Sequence, residues 1–183
     1  MIFNTLSYIG EKLNENNVLW GVGASILLNQ YDLAYEPNDI DILVHIKDIE
    51  RVDEILKNIG KKKVWEKEKT YSTKHFYEYV VNDIEIDVMS GLRINHGEGQ
   101  YKHIFDSESI SYRKEINNVS IPFTSLEDWY VIYQLIPKRE KKVDFIGTYL
   151  RKNLVRKPEL LIRALKGELP KDVVKNINGL LNL

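Results

Sequence analysis

Asp39 and Asp41 stand at alternate positions of the apolar run Asn38-Asp39-Ile40-Asp41-Ile42-Leu43-Val44. On an extended strand, alternate side chains share a face. The two carboxylates therefore project together, while Ile40, Ile42 and Val44 face a core. Like charges held side by side repel, and a fold keeps them when a divalent cation sits between them or when one carboxyl is protonated. Upstream, Gly21-Val22-Gly23-Ala24-Ser25 links a short apolar run to a helical one. Backbone amides at a glycine turn and helix start suit phosphate oxygens, and Ser25 adds a hydroxyl. Downstream, Asp87 lies in Ile84-Glu85-Ile86-Asp87-Val88-Met89. Glu85 shares its face and is a rival for its role. Three carboxylates on neighbouring strands beside a phosphate cradle would suit Mg²⁺ carrying a nucleoside triphosphate. The turn is not a Walker A motif, because no Gly-Lys-Ser/Thr follows it.

The elements that must position these residues are legible in the hydrophobic pattern. Ile2, Leu6, Ile9 and Leu13 recur at helical spacing, so residues 2–15 read as an amphipathic helix. Val18-Leu19-Trp20 reads as a short buried strand, and Ile26-Leu27-Leu28 as the start of a second helix. A loop through Pro37 leads to a strand at Ile40–Ile46. Asp48 suits the N-cap of a helix that runs to about Gly60, a glycine placed for the C′ position. Residues 64–67 are a further candidate strand. His75–Val81 and Ile84–Met89 alternate around Asn82-Asp83 and predict a hairpin. Residues 91–104 lack a clear period and read as a loop. Ser111–Ile116 and Val119–Phe123 predict a second hairpin around Asn117-Asn118.

From Ser125-Leu126-Glu127-Asp128 onward the pattern is helical, punctuated by Pro137, Pro158 and Pro170. Ser125 suits an N-cap, and the acids suit the positive end of the helix dipole. The expectation is an α+β protein: a mixed β-sheet flanked by helices over residues 1–124, with a helical segment, 125–183, packed on it.

The chain has 183 residues, 26 Lys and Arg against 27 Asp and Glu, a net charge of −1 and no cysteine. That is long enough to bury a core without staples. The balanced charge gives no bulk attraction to nucleic acid or membrane. Absence of cysteine excludes a disulfide framework, thiolate metal sites and a cysteine nucleophile, and it fits a cytoplasmic location. No apolar block suits a signal peptide or a membrane span.

Trp20-Gly21-Val22-Gly23-Ala24-Ser25, then Asp39-Ile40-Asp41-Ile42, then Asp87-Val88 resemble the minimal nucleotidyltransferases related to DNA polymerase β. The likeness covers roughly residues 15–90. The segment from Ser125 through Arg139-Glu140-Lys141-Lys142-Val143-Asp144 resembles helices that follow the core in several branches. The resemblance implies an enzyme whose Asp39 and Asp41 ligate two Mg²⁺ ions (Mn²⁺ being an alternative), with Asp87 completing the ion that binds the acceptor hydroxyl. It implies that Gly23, Ala24 and Ser25 hold the phosphates of a nucleoside triphosphate, ATP among them. Pyrophosphate would leave, and a nucleoside monophosphate would join a small molecule, a protein or a tRNA. Two positions depart from the family pattern. Ala24 stands where Gly or Ser is usual, and Glu36-Pro37-Asn38 precedes the acids where many relatives carry Arg or Thr. Lys141, Lys142 or Arg139, or else Arg93, are candidates to supply the missing phosphate contact.

The histidines His45, His75, His96 and His103 show no metal-ligand spacing and read as surface or packing residues. Lys61-Lys62-Lys63 follows a helix end, where cations are favoured. Tyr71, Phe76, Tyr77 and Tyr79 read as cross-strand packing, with Tyr71 placed to stack on a base. Trp129, Tyr130 and Tyr133 read as core of the helical segment. A catalytically inactive nucleotide-binding or regulatory module of the same fold is the alternative function. The intact acids argue against it. A glycosyltransferase would need a larger half before Asp39.

Overall fold

The computed structural model describes residues 1–33, 36–64 and 70–182. In chain order the elements are α1 (Ile2–Glu15), β1 (Trp20–Val22), α2 (Ala24–Asn29), β2 (Asp39–Val44), α3 (Ile49–Ile59), β3 (Lys61–Lys62), β4 (His75–Val81) and β5 (Ile84–Ser90). Then come β6 (Arg93–His96), β7 (Gly99–Lys102), a 3₁₀ turn (Ser107–Ser109), β8 (Ile110–Ile116), β9 (Val119–Thr124), α4 (Leu126–Leu135), α5 (Glu140–Asn153), α6 (Pro158–Ala164) and α7 (Lys171–Leu181). The expected mixed α and β architecture is present. Among the described residues, seven strands form one sheet in the order β3-β4-β5-β2-β1-β9-β8, and β6 and β7 make a separate ribbon.

Turn chemistry sets the sheet register. Asn82 and Asp83 take φ of 50° and 61°, and Asn117 and Asn118 take 50° and 63°. Positive φ at both central residues is what a tight hairpin turn requires, and Asn and Asp tolerate it. The first turn pairs β4 with β5 antiparallel and sets Glu78 opposite Asp87 and Phe76 opposite Met89. β2 then lies parallel to β5, with Asp41 opposite Asp87.

Alternation separates the two faces of this sheet. Ile40, Ile42, Ile86, Val88 and Tyr79 are fully buried on one face. That side is covered by α1, whose stripe Leu6, Ile9 and Leu13 has no solvent exposure, and by α3, whose Asp53 accepts a hydrogen bond from the Tyr79 hydroxyl. Each such fully buried apolar side chain contributes roughly 2 kcal/mol. The opposite face carries Asp39, Asp41, Asp87 and Glu78 into a cleft bounded by α4 and the start of α5.

Several elements differ from the sequence expectation. The first strand is Trp20–Val22 rather than Val18–Trp20. The Val18 amide is still bonded to the Leu13 carbonyl at the end of α1 (3.1 Å), and the Leu19 amide donates to Asp48 Oδ2 (3.0 Å). Asp48 stands at the N-cap of α3 as expected, but its side chain is taken up by the Leu19 amide and makes no capping bond. Gly60 is extended, with φ −154°, not the left-handed C′ residue expected. A β-carbon there would meet Val81 Cγ2 at 2.5 Å and the Val80 carbonyl oxygen at 2.7 Å, so close strand approach is what demands glycine. The expected strand near 64–67 falls largely on 65–69, outside the described residues.

Residues 91–104 are not a plain loop, for β6 and β7 pair from Arg93–Lys102 to His96–Gly99. Only Ile94 and Tyr101 face inward from this ribbon, too few apolar residues to set a readable period.

The helical segment begins as expected, with Ser125 Oγ accepting from the Asp128 amide (3.0 Å). Pro158 opens α6, and Pro170 directly precedes α7. The first-turn acids of α4 do more than complement its dipole. Glu127, 3% exposed, accepts from the backbone amides of Arg156 (2.9 Å) and Lys157 (3.0 Å) just before α6. Arg163 of α6 grips Asp106 through both carboxylate oxygens (3.0 and 2.9 Å). Among the described residues no helix is long and apolar enough to cross a membrane.

Candidate active site

Two parallel strands set the centre of the cleft. Neighbouring strands lie about 4.8 Å apart, so the Asp41–Asp87 register puts two carboxylates side by side on one face. Asp39 flanks them, and its Oδ1 accepts from Ser25 Oγ (3.1 Å). Burial first, and then the charges of Asp39 and Asp87, push the Asp41 carboxyl up to about 8. Burial, followed by the charges of Glu78, Asp39 and Glu85, raises Asp87 to about 7. Both acids sit where ionisation is opposed from several sides. Opposed pKa values of this kind gather at functional sites.

Glu85, the rival of Asp87, is exposed and pairs with Lys63 outside the cleft. Glu78 is the carboxylate that the sequence reading missed. It lines the cleft beside Asp87. Counting outward equally from Asn82-Asp83 pairs the two, so the signal was present in the hairpin.

The phosphate-cradle residues divide. Ala24 and Ser25 line the cleft, while Gly23 does not. A β-carbon on Gly23 would lie 2.3 Å from the Trp129 indole, so this glycine answers to packing under α4. Its φ is −135°. The left-handed residue is Ala24, with φ 45°, a conformation that costs an L-residue about 1 kcal/mol or more.

The basic residues divide as well. Lys142 lines the cleft, and its Nζ donates to the Tyr133 hydroxyl (3.3 Å). Burial and then the Arg139 charge lower its pKa, with Asp41 and Asp39 pulling the other way. Arg139 also lines the cleft. Lys141 is exposed and does not, and neither does Arg93. Positions three apart on a helix share a side, which joins Arg139 to Lys142 and turns Lys141 away. Trp129 and Tyr133 are core residues as expected, yet each also forms part of the cleft wall. Tyr71 and Phe76 line the cleft, whereas Tyr77 and Tyr79 turn to the α3 side.

Carboxylate oxygens are hard donors of the kind Mg²⁺ and Mn²⁺ take. Among the described residues, however, no three His, Cys, Asp or Glu side chains already converge as a ready-made ion cage.

No protein-family model matches the chain, and no curated protein matches it at a significant level. Solved structures do. A Thermotoga maritima protein described as a nucleotidyltransferase superposes with a TM-score of 0.58 at 22% identity, covering 81% of this chain and 92% of its own. ANT(2")-Ia in complex with adenylyl-2"-tobramycin gives a TM-score of 0.55 at 14% identity, covering 82% and 90%. The lincosamide antibiotic adenylyltransferase LnuA, bound to lincomycin, gives 0.50 at 16% identity, covering 76% and 92%. The chain has the nucleotidyltransferase fold.

Proposed function

We propose that this protein is a nucleotidyltransferase that moves a nucleoside monophosphate from a nucleoside triphosphate to an acceptor hydroxyl. The observation that carries the reading is the Asp39–Asp41–Asp87 face, set across the cleft from Arg139 and Lys142. The fold shared with solved nucleotidyltransferases supports it.

In this reading the acceptor oxygen bonds to the α-phosphorus, and the bond from that phosphorus to the β-phosphate oxygen breaks. Pyrophosphate leaves with the electron pair. Asp87, opposite Asp41 on the β5 side of this face, accepts the proton in this reading. Arg139 and Lys142 neutralise the departing pyrophosphate, and Ser25 steadies Asp39. Asp39, Asp41 and Asp87 would hold Mg²⁺ or Mn²⁺, which when bound lowers the hydroxyl's pKa and offsets the phosphate charge. The acceptor is a small molecule, by analogy with the adenylyl-2"-tobramycin and lincomycin bound by two of the structural neighbours.

The test is incubation of the protein with each α-labelled nucleoside triphosphate, Mg²⁺ and a small-molecule cell extract. We expect label in one product, released pyrophosphate, and neither with Asp41→Asn. Failure of every triphosphate to bind by calorimetry in Mg²⁺ would rule the reading out.

A further inference from the structure

The cleft is chemically split along the sheet. At the β2 and α2 end, Arg139 and Lys142 line the cleft and both act on Asp41, and Lys142 on Asp39 as well. At the β5 and β4 end, the cation among the described residues that bears on Asp87 is Lys63, which pairs with Glu85 outside the cleft and does not line it. The Asp87 carboxylate faces Glu78, and the wall beyond is Phe76, Tyr71, Met89 and Leu92. Phe76 stands opposite Met89 in the same register that sets Glu78 opposite Asp87. The Tyr71 and Phe76 rings lie 6.1 Å apart, and Leu92 is 2% exposed.

In-line displacement places the entering and leaving oxygens on opposite sides of the phosphorus. Pyrophosphate at the cationic end therefore puts the acceptor at the Glu78 end. The nucleoside oxygen stays bonded to the phosphorus in an equatorial position, off this axis. An apolar wall with a single added carboxylate selects an apolar body bearing one positive charge. A polyanion would meet Asp87 and Glu78, and a polycation would leave charges desolvated against the aromatic wall.

We infer that the acceptor is a small, largely apolar alcohol carrying one amine, its ring on Phe76 and Tyr71 and its ammonium paired with Glu78. This rests on the nucleotidyl-transfer reading for the direction of the cleft, but its test is binding without nucleotide. The probes are phenylethanolamine, its uncharged counterpart ethyl phenyl carbinol, a polycationic aminoglycoside and tRNA, each titrated calorimetrically. The expected result is that phenylethanolamine binds roughly tenfold tighter than the carbinol, the size of one charge-assisted contact. Glu78→Gln should erase that difference, and Phe76→Ala should weaken both aryl probes alike. Tighter binding of the aminoglycoside or of tRNA overturns the inference, as does a preference that survives Glu78→Gln or no binding of either aryl probe. Loss of triphosphate turnover with these binding results intact would instead sink the transfer reading alone.

Discussion

Tyr79 and Glu78 are neighbours on β4 that point to opposite faces of one sheet. On the Tyr79 side, Asp53 accepts from Lys57, Lys62 and the Tyr79 hydroxyl. Burial pushes its carboxyl up, but those three donors outweigh burial and hold it at about 2. On the Glu78 side, Asp41 and Asp87 are pushed up to about 8 and 7, by burial and by one another's neighbours. One face satisfies its acid locally, and the other collects acids that the protein alone leaves opposed. The first arrangement stabilises the fold. The second costs stability and makes sense where a cationic or electrophilic ligand completes it.

Replacing a cleft acid should break this contrast most visibly. Asp41→Asn is expected to lower pyrophosphate release on the order of a thousandfold while raising the melting temperature by about 2–4 °C, through about 1 kcal/mol of relieved burial cost and repulsion. Parallel turnover and thermal-melting measurements check both signs. Gly23→Ala attacks the wall rather than the charges. With its β-carbon driven into the Trp129 indole, it should cost about 2 kcal/mol in a urea titration, and pairing it with Trp129→Leu should recover part of that.

The Asp53 side should behave in the opposite sense to the cleft. Asp53→Asn is expected to lose about 1–2 kcal/mol at neutral pH with turnover unchanged. Because the folded carboxyl lies at about 2, below its unfolded value of about 3.9, its contribution is full above about pH 4. It is lost as the pH falls through 2. Urea midpoints for both proteins should therefore converge in acid. The smallest effect belongs to Ala24→Gly, which relaxes a left-handed residue and should gain a few tenths of a kcal/mol up to about 1. Differential scanning calorimetry would resolve it.

Local rules carried far in this sequence where chemistry and period agreed. Asn82-Asp83 and Asn117-Asn118 announce both hairpins because few residue types accept two successive positive φ angles. Asp39, Asp41 and Asp87 were legible because strands seldom hold unpaired acids. The phosphate side was less legible, since the same glycine spacing serves a turn or a tight contact, and only the Trp129 indole above Gly23 distinguishes them. Choosing Lys142 and Arg139 over Lys141 needs the rotation of α5 relative to the cleft. The β6–β7 ribbon was hidden because the backbone pairing of two short strands, not a hydrophobic pattern, defines it.

Glu127 bears on the order in which the molecule is made. A ribosome delivers the chain from its N-terminus, so this buried carboxylate emerges before the two amides it accepts from, 29 and 30 residues later. Until they arrive it must stay hydrated, and α4 cannot settle fully on the sheet. The α4 wall of the cleft would then be among the last parts of the nascent protein to close, leaving the Asp39–Asp41 strand open to solvent until Arg156 and Lys157 have been delivered.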